Sequence, residues 1–314
     1  MFKKRKMSAL RFAESIMRLP CMKRLPILFL MFLFSSCATI KTASYKVDKS
    51  EPFSDKKTIR IVQISDFHSN DFGKNESRLI EKVRDASPDI IFLTGDIFDF
   101  DMKGIKPVQN VKYLLEGLRQ IAPFYYITGN HEYNRYHNAE WSFLIEEYGG
   151  KTLKNESIAV ELNNGIILVT GISDPFEDLT MEKRQKDKDD KEKYLQRLDE
   201  VSRKASQIKK EIQENPDFLL SVLLAHRPEY IMDYLSYDYD LILSGHAHGG
   251  QWKLPFAKNG LYAPMQGLFP KYSGGLYDFK KQGSVLIVSR GLSHQIPNIP
   301  RFFNPPELVV IEIR

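Results

Sequence analysis

Histidine, aspartate and asparagine recur where apolar segments of this chain end. The stretch GHAHGGQ, residues 245–251, places His246 and His248 two residues apart in a glycine-rich turn after the apolar run DLILS. Two imidazoles this close at a strand end indicate a metal site, and glycine lets backbone approach closely. The other turns of this kind are Asp66-Phe67-His68, Gly95-Asp96-Ile97-Phe98-Asp99, Gly129-Asn130-His131-Glu132 and the single His226.

The segments before these five turns are typical of buried strands. The runs TIRIVQIS, DIIFLTG, PFYYITG, LLSVLLA and DLILS are apolar, β-branched or aromatic. Ligands of open α/β folds gather at the carboxyl ends of strands, so we expect the five turns to converge. One such turn alone is ordinary turn chemistry, since Asp, Asn and Gly favour turns. Five of them, holding five of the seven histidines, favour a functional site.

Strands and helices alternate from about Thr58 onwards. Apolar residues at helical spacing separate the first three strands, and a further helix around Trp141 ends at Gly149-Gly150. Four more strands are predicted at IAVEL, GIILVTG, SVLIVS and ELVVIEI, which makes nine. This pattern predicts one α/β domain over residues 58–314, a four-layer αββα sandwich of two packed mixed sheets flanked by helices.

Residues 182–214 differ from the rest because they are densely charged and contain no glycine. Their apolar residues keep helical spacing, so we predict an amphipathic helical insertion; they are Leu195, Leu198, Val201, Ala205, Ile208 and Ile212. The simpler interpretation is a solvated helix with one face on the body. The alternative is a helix that binds a partner or caps the substrate.

The N-terminal residues 1–37 have the pattern of a targeting segment. They carry eight Lys and Arg against one acid, and include the apolar run Leu25–Phe34. Ten apolar residues are typical of a signal peptide, and the basic flank predicts export of the domain that comes after it. The residues FSSC, ending at Cys37, resemble the lipobox of bacterial lipoproteins, whose cysteine is acylated. The alternative is an uncleaved N-terminal anchor. The stretch before Met22 is long for a leader, which favours Met22 as the true start.

Either interpretation of the leader predicts attachment to a membrane through the N-terminus, with residues 38–57 as a tether and the domain outside the cytoplasm. Of 45 basic and 40 acidic residues, eight and one lie in residues 1–37, which leaves 37 and 39. The body is therefore near neutral, and we expect no nucleic-acid partner. Both cysteines, Cys21 and Cys37, precede the body. A metal there must bind to His, Asp, Glu or Asn.

The turns DFH, GDIFD, GNHE, the isolated His226 and GHAHGGQ together resemble the motif set of the calcineurin-like metallophosphoesterases. The match runs from about Thr58 to the C-terminus. GHAHGGQ, GLFPKYSGGLYD, SRG and RFFNPPELVVIEI resemble a bacterial subgroup with exported phosphodiesterases and a UDP-2,3-diacylglucosamine pyrophosphatase. Ala247 stands where that subgroup more often has Thr, and His294 where it often has Gly.

The resemblance implies a centre of two divalent metal ions. The ligands of the first ion would be Asp66, His68, Asp96 and His248. The second ion would share Asp96, and its other ligands would be Asn130, His226 and His246. Mn²⁺, Fe²⁺ and Zn²⁺ all accept such a mixed set. Ions about 3.5–4 Å apart polarise a phosphoryl oxygen and activate the water that attacks phosphorus.

The resemblance also implies roles for residues that are not ligands. His131 would stabilise or protonate the leaving oxygen, with Asp99 orienting it and keeping it cationic; a structural hydrogen bond is the alternative for His131. His294 and Arg301 are predicted to contact substrate. The apolar residues between Trp252 and Phe269 could form a rim for a lipid substrate, or simply cover core.

The function predicted from these features is that of a membrane-attached dinuclear-metal phosphohydrolase. Its substrate would be a phosphorylated small molecule or lipid with a phosphodiester or pyrophosphate bond. The alternative is a UDP-2,3-diacylglucosamine pyrophosphatase of lipid A synthesis, although its nucleotide substrate is made in the cytoplasm and the leader predicts export. A non-catalytic tethered binding module is the third hypothesis, but such modules usually lose ligands, and here each is present.

Overall fold

The computed structural model describes residues 39–48, 58–99, 105–133, 138–179, 191–253, 259–293, 295–296 and 299–314. Its helices are α1 (Ser77–Ala86), α2 (Ile105–Leu118), α3 (Asn138–Glu147), α4 (Lys191–Ile212) and the single turn α5 (Ile231–Tyr234). Its strands are β1 (Lys41–Val47), β2 (Ile59–Ile64), β3 (Ile90–Thr94), β4 (Phe124–Ile127), β5 (Lys151–Thr152), β6 (Glu156–Leu162), β7 (Gly165–Ile172), β8 (Phe218–Ala225), β9 (Leu241–Ser244), β10 (Tyr262–Ala263), β11 (Gly267–Leu268), β12 (Gly275–Phe279), β13 (Ser284–Val288), β14 (Gln295–Ile296), β15 (Ile299–Pro300) and β16 (Glu307–Ile313).

Two six-stranded mixed sheets form the body of the domain. The first sheet has the order β1-β16-β2-β3-β4-β5, with β2 to β5 parallel and β16 antiparallel to β2. The second has the order β12-β13-β9-β8-β7-β6, with β7, β8, β9 and β13 parallel and both edge strands antiparallel. The prediction of two mixed sheets flanked by helices is confirmed, and all nine predicted strands are present.

The core lies in three layers, because the strands alternate the faces on which their apolar side chains lie. In β2, Ile59 and Ile61 pack between the two sheets, while Val62 and Ile64 pack against α1 and α2. Strand β8 does the same on the other side, with Val222 between the sheets. Burial on both faces explains why these strands read as continuous apolar runs.

The prediction that residues 38–57 form a tether is wrong for Lys41–Val47. These residues form β1, which pairs in parallel with β16 over seven positions, from Lys41 with Glu307 to Val47 with Ile313. The strand is polar, and within it Val47 alone is buried. Its main-chain bonds to the C-terminal strand hold it in place, and composition does not reveal such pairing.

The charged segment predicted as an insertion provides the crossover between the parallel strands β7 and β8. Helix α4 packs on β6 and β7 and buries Tyr194, Leu198, Val201 and Ala205. It is thus the outer helical layer of the second sheet rather than an addition to the fold. The part of the predicted insertion at 182–190 lies outside the described residues. Among the described helices, none is both long enough and apolar enough to cross a membrane.

We expect Leu198→Ala to lower the free energy of unfolding by about 2–5 kcal/mol, because it removes a buried side chain from the layer under α4. The matched control is Gln196→Ala, an exposed position of the same helix, with an expected change within about 0.5 kcal/mol. Chemical denaturation of both variants checks this. Equal stability of Leu198→Ala and the wild type would show that α4 is not part of the cooperative core.

Candidate metal centre

The five turns identified in the sequence meet at one edge of the sandwich. Asp66 follows β2, Asp96 follows β3 and Asn130 follows β4 of the first sheet, while His226 and His246 follow β8 and β9 of the second. Hydrogen bonds cross between the sheets here. Gln63 donates Nε2 to the Ser244 carbonyl at 2.9 Å, and the backbone N–H of His246 donates to the Asp66 carboxylate at 3.1 Å.

The backbone in these turns is held in an uncommon conformation. Five of the predicted ligands have φ between 46° and 64°, in the left-handed region; they are Asp66, His68, Asp96, His246 and His248. Non-glycine residues visit this region rarely, and they cluster there at functional sites. The glycines provide room: a Cβ at Gly95 would lie 2.6 Å from His226 Nδ1, and one at Gly245 would lie 2.5 Å from Asp66 Oδ2.

In the described part of the chain, three groups of potential ligands lie here, of which His68, Asp99 and His131 form one. The other two contain only predicted ligands, and the first of these joins the ends of β2, β3 and β9. Its potential ligand atoms come from Asp66, His68, Asp96 and His248 and lie within 4.8 Å of one another. His248 Nε2 is 3.3 Å from Asp66 Oδ1, and His68 Nε2 is 3.6 Å from Asp96 Oδ2. The members are the four residues that the resemblance implied for the first ion.

The second cluster shares Asp96 with the first. It adds His226 and His246, again within 4.8 Å, and His226 Nε2 lies 3.2 Å from Asp96 Oδ2. Nδ1 of His226 contacts the Thr94 carbonyl at 2.7 Å, a bond that makes Nδ1 the protonated nitrogen and directs Nε2 at the cluster. Asn130, which follows β4, is the remaining residue predicted for this ion.

Unsatisfied polar atoms indicate that both clusters fit metal ions. Buried side-chain atoms without a hydrogen-bond partner are costly and normally rare. Among the described residues, four of them belong to predicted ligands: Nε2 of His68, His226 and His246, and Oδ1 of Asn130. Each is an atom type that binds divalent cations. The residues therefore suit two ions, with Asp96 able to bridge them.

The ionisation states of the imidazoles agree in part with metal binding, which requires neutral imidazole. Burial lowers the pKa of His246, and the charges of Arg227 and His226 lower it further. Burial likewise lowers the pKa of His248, aided by His68 and Arg301. At His226 the effect of burial is overcome by the nearby Asp96 carboxylate, which raises the pKa of His226 to about 10. A metal ion here would have to displace that proton.

His131 and Asp99 lie beside the first cluster. Nδ1 of His131 is 3.4 Å from Asp99 Oδ1, and the His131 and His68 rings make an edge contact with centroids 4.3 Å apart. Burial acts to lower the pKa of His131, but the Asp96 charge and the hydrogen bond to Asp99 raise it above its ordinary value. Burial acts to raise the pKa of Asp99, but hydrogen bonds from His131 and His68 hold it below its usual range.

Of the residues predicted to contact substrate or to carry a lipid, the structure describes Arg301. Arg301 is buried, and its Nη2 lies 3.3 Å from His248 Nδ1, so its guanidinium contacts a predicted ligand. A role for Arg301 in substrate binding stays a prediction. His294 and Cys37 lie outside the described residues.

Sequence reasoning missed the structural role of Glu132. Its buried carboxylate accepts four backbone N–H groups, from Asp96 at 3.0 Å, Ile97 at 2.7 Å, Phe98 at 3.1 Å and Gly129 at 2.7 Å. It thereby locks the turn after β3 to the turn after β4. The sequence offered a signal for this role, because Glu132 is the last residue of the GNHE turn that was identified as part of the site.

A second missed group flanks the His226 side of the centre. Arg227 is buried and makes a bidentate pair with Asp174, at 2.7 and 3.0 Å. Glu229 Oε1 lies 3.8 Å from both Arg227 Nη1 and His246 Nε2. Burial raises the pKa of Glu229 to about 7, although the Arg227 charge opposes this. Asp174 follows β7 by two residues, so a search for polar residues at the ends of strands could have found it.

Comparison with known proteins identifies the family to which the chain belongs. The model of the family described as calcineurin-like phosphoesterase matches residues 59–250, which is more than half of the chain and includes each predicted ligand. The chain belongs to the calcineurin-like phosphoesterase family. Members of this family are metal-dependent hydrolases of phosphoester bonds, so the resemblance drawn from the motifs is confirmed.

Bacterial proteins are among the relatives of this phosphoesterase. It is 30% identical to an uncharacterized metallophosphoesterase of Campylobacter jejuni, over 82% of this chain and 60% of that protein. It is 30% identical to an uncharacterized metallophosphoesterase of Bacillus subtilis, over 81% of this chain and 79% of the relative. It is also 27% identical to a UDP-2,3-diacylglucosamine pyrophosphatase of Chlamydia trachomatis, over 81% of this chain and 83% of that protein. The chain thus spans less than two thirds of the Campylobacter relative.

We expect alanine substitutions to separate the two predicted sites by metal content, measured by inductively coupled plasma mass spectrometry. His246→Ala and His248→Ala should each leave one of two ions, because each removes a ligand of a different site. The double variant His226→Ala/His246→Ala should still hold one ion, whereas His246→Ala/His248→Ala should hold none.

The control for this series is His131→Ala, which removes an imidazole that is not a predicted ligand and should keep both ions. Retention of two ions by His246→Ala, or an equal loss in both double variants, would contradict the assignment.

Proposed function

We propose that this phosphoesterase is a membrane-attached, dinuclear-metal hydrolase that cleaves a phosphodiester or pyrophosphate bond. The observation that carries the proposal is the pair of clusters that share Asp96, with ligand atoms buried and unpartnered on both sides of it. A site for one ion would need only one cluster. The ions that suit this donor set are Mn²⁺, Fe²⁺ or Zn²⁺.

When bound, the two ions would supply Lewis acidity that polarises the phosphoryl group and makes a water nucleophilic near neutral pH. Asp66, His68 and His248 would hold one ion, Asn130, His226 and His246 the other, and Asp96 both. The turns that carry these residues are cross-linked by backbone hydrogen bonds, such as Asp66 N–H to the Gly95 carbonyl at 3.0 Å. The side chains are therefore oriented before substrate arrives.

His131 is the group suited to handle the leaving oxygen. Its Nδ1 faces Asp99, so its Nε2 is the nitrogen that we assign to donate a proton to the oxygen as its bond to phosphorus breaks. The raised pKa favours the protonated form of this imidazole. Asp99 orients the ring without touching substrate.

Attachment to a membrane rests on the leader. The basic residues and the apolar run Leu25–Phe34 support export, and Cys37 supports a lipid anchor, with an uncleaved anchor as the alternative. We infer a phosphorylated small molecule or a lipid as substrate. A second candidate function, cleavage of UDP-2,3-diacylglucosamine, is favoured by the similarity to the Chlamydia pyrophosphatase along most of both chains.

We expect the full chain loaded with Mn²⁺ to hydrolyse bis(p-nitrophenyl) phosphate, with complete loss of activity in EDTA, because the chemistry depends on bound ions. Release of UMP from UDP-2,3-diacylglucosamine, measured in parallel, would select the second candidate. No hydrolysis of either compound by a chain that holds two ions would overturn the proposal.

We expect His131→Ala to lower kcat by about 10²–10⁴-fold with both ions retained, because it removes the proton donor without removing a ligand. A steady-state assay with parallel metal analysis checks this. A compound with p-nitrophenolate as leaving group should show a smaller loss than one with an alkoxide, because the better leaving group needs less protonation. Equal losses would contradict the role of His131 as an acid.

We expect Asp99→Asn to move the alkaline limb of the kcat–pH profile to lower pH. His131 is active when protonated, so kcat falls as pH rises through its pKa, and loss of the Asp99 charge and hydrogen bond lowers that pKa. Asp85→Asn, an exposed acid on α1, is the matched control and should leave the profile unchanged. A limb that stays in place in Asp99→Asn would exclude the pairing.

A further inference from the structure

Large apolar side chains are exposed together beside the metal centre. Of the eight that are well exposed among the described residues, six lie between residues 252 and 303, and we call these the apolar face: Trp252, Tyr262, Met265, Leu268, Phe269 and Phe303. Their exposed fractions run from 43% to 70%. Apolar side chains scattered singly are normal on a surface, whereas a group of them marks an interaction site.

Main-chain and ring contacts join the apolar face into one surface. The hairpin of β10 and β11 pairs Tyr262 with Leu268, and the N–H of Phe269 donates to the Leu261 carbonyl at 2.8 Å. The N–H of Leu261 in turn donates to the Trp252 carbonyl at 2.8 Å. Trp252 also pairs with Phe302, whose ring lies 4.4 Å from that of Phe303.

This surface is attached directly to the turn that carries His248. Asn304 donates Nδ2 to the His248 carbonyl at 2.7 Å, and the N–H of Leu261 donates to the Gly250 carbonyl at 2.9 Å. Gly250 and Gly260 pack so closely that a Cβ on Gly250 would lie 2.6 Å from the Gly260 Cα. The apolar face therefore borders the metal centre and keeps a fixed orientation to it.

The N-terminal end of β1 lies at the same edge of the domain. Lys41 pairs with Glu307, and the pairing of Val309 with Gln63 brings this end of β16 to the end of β2, next to Asp66. Two hydrogen bonds connect this end of β16 with Asp66. The N–H of Glu307 donates to the Gly291 carbonyl at 3.0 Å, and the N–H of Ser293 donates to the Asp66 carbonyl at 2.7 Å. The leader thus joins the domain on the side of the metal centre.

The distance available between leader and domain is short because β1, the first strand of the domain, already begins at Lys41. From Phe34, the last residue of the apolar run, to Lys41 is seven residues, which span at most about 25 Å when fully extended. From Cys37 the limit is about 14 Å. A leader held in a bilayer therefore keeps this edge of the domain close to the lipid.

Cations accompany the apolar face. Lys41 and Lys271 are exposed, and Lys253, next to Trp252, lies within reach of the charges of Lys41 and Arg290. Tryptophan and tyrosine favour the bilayer interface, and lysines beside them attract anionic headgroups. A soluble partner would need neither the basic residues nor the short connection to an anchor.

We propose that the apolar face docks on the lipid bilayer, so that the metal centre faces the membrane and takes its phosphodiester or pyrophosphate bond from the headgroup of a membrane lipid. The inference rests on the proposed function and names its substrate class. Apolar faces that lie in the membrane interface are buried about 5–10 Å into the headgroup region. Docking in this way would place the His248 turn, which adjoins the apolar face, beside the headgroups.

The chain has two tryptophans, and they provide a direct test. Trp252 belongs to the apolar face. Trp141 lies in α3 and stacks on Phe98, with ring centroids 4.3 Å apart. Helix α3 packs near β5, which is the edge strand of the first sheet opposite to β1. The full chain is reconstituted in vesicles of phosphatidylglycerol and phosphatidylcholine whose acyl chains carry bromine. We expect a loss of tryptophan emission in the wild type and no such loss in Trp252→Phe.

The double variant Leu268→Glu/Phe269→Glu should lose the quenching of Trp252 while it keeps two ions per chain and the wild-type unfolding temperature. Phe143→Glu is the matched control, because Phe143 is as exposed as Leu268 but lies on α3. It should leave quenching unchanged. Wild-type emission that bromine does not quench in vesicle-bound protein would overturn the proposal, as would a dimer that dissociates in the double variant.

Hydrolysis of bis(p-nitrophenyl) phosphate by the wild type in the same vesicles tests the proposed function separately, because this compound is soluble. Hydrolysis without quenching would leave the phosphohydrolase in place and reject docking. Quenching without hydrolysis of this compound or of UDP-2,3-diacylglucosamine, by a chain that holds two ions, would keep docking and overturn the proposed function.

Discussion

Two carboxylates buried side by side impose the constraint on which the rest of this structure depends. Asp66 and Asp96 are at most 1% exposed, at the ends of neighbouring strands. Charges removed from water cost several kcal/mol each unless opposite charge or hydrogen bonds compensate them. Part of the compensation comes from the second sheet, through the imidazole of His226 beside Asp96 and the backbone N–H of His246, which donates to the Asp66 carboxylate. The two sheets are therefore tied together where the acids lie, and the apolar core between them extends away from that edge.

The same constraint explains the backbone around the centre. Side chains can converge on two adjacent acids only if the turns approach each other closely, and that requires glycine at Gly95 and Gly245 and left-handed φ at several ligands. Such conformations cost free energy, and the four backbone donors to Glu132 offset part of it by joining two turns. The result is a preorganised site, in which residues that could hold ions are fixed by the fold rather than by the ions alone.

Sheet order also relates the centre to the chain termini. Because β16 lies between β1 and β2, the start of β1, the start of β16 and the end of β2 share one edge. The residues before β16 carry Arg301 and Asn304 to the His248 turn, so the C-terminal part of the chain completes the site. The start of β1, the apolar face and the metal centre are in this way brought to one side by topology.

The sequence by itself determined the nine main strands, the α/β class and the residues at the five strand ends. These rest on local signals: β-branched apolar runs predict buried strands, and polar residues with glycine predict the turns that end them. The sequence also carried the family resemblance, through motifs that each span a few residues. Tertiary structure alone decided that Lys41–Val47 is a strand, that α4 is the crossover of the second sheet, and that Arg227 pairs with Asp174 beside the centre. The physical reason is that these features depend on contacts between distant parts of the chain. A polar strand such as β1 is held by main-chain bonds to β16 at the other end of the sequence, and main-chain bonding leaves no pattern in side-chain types.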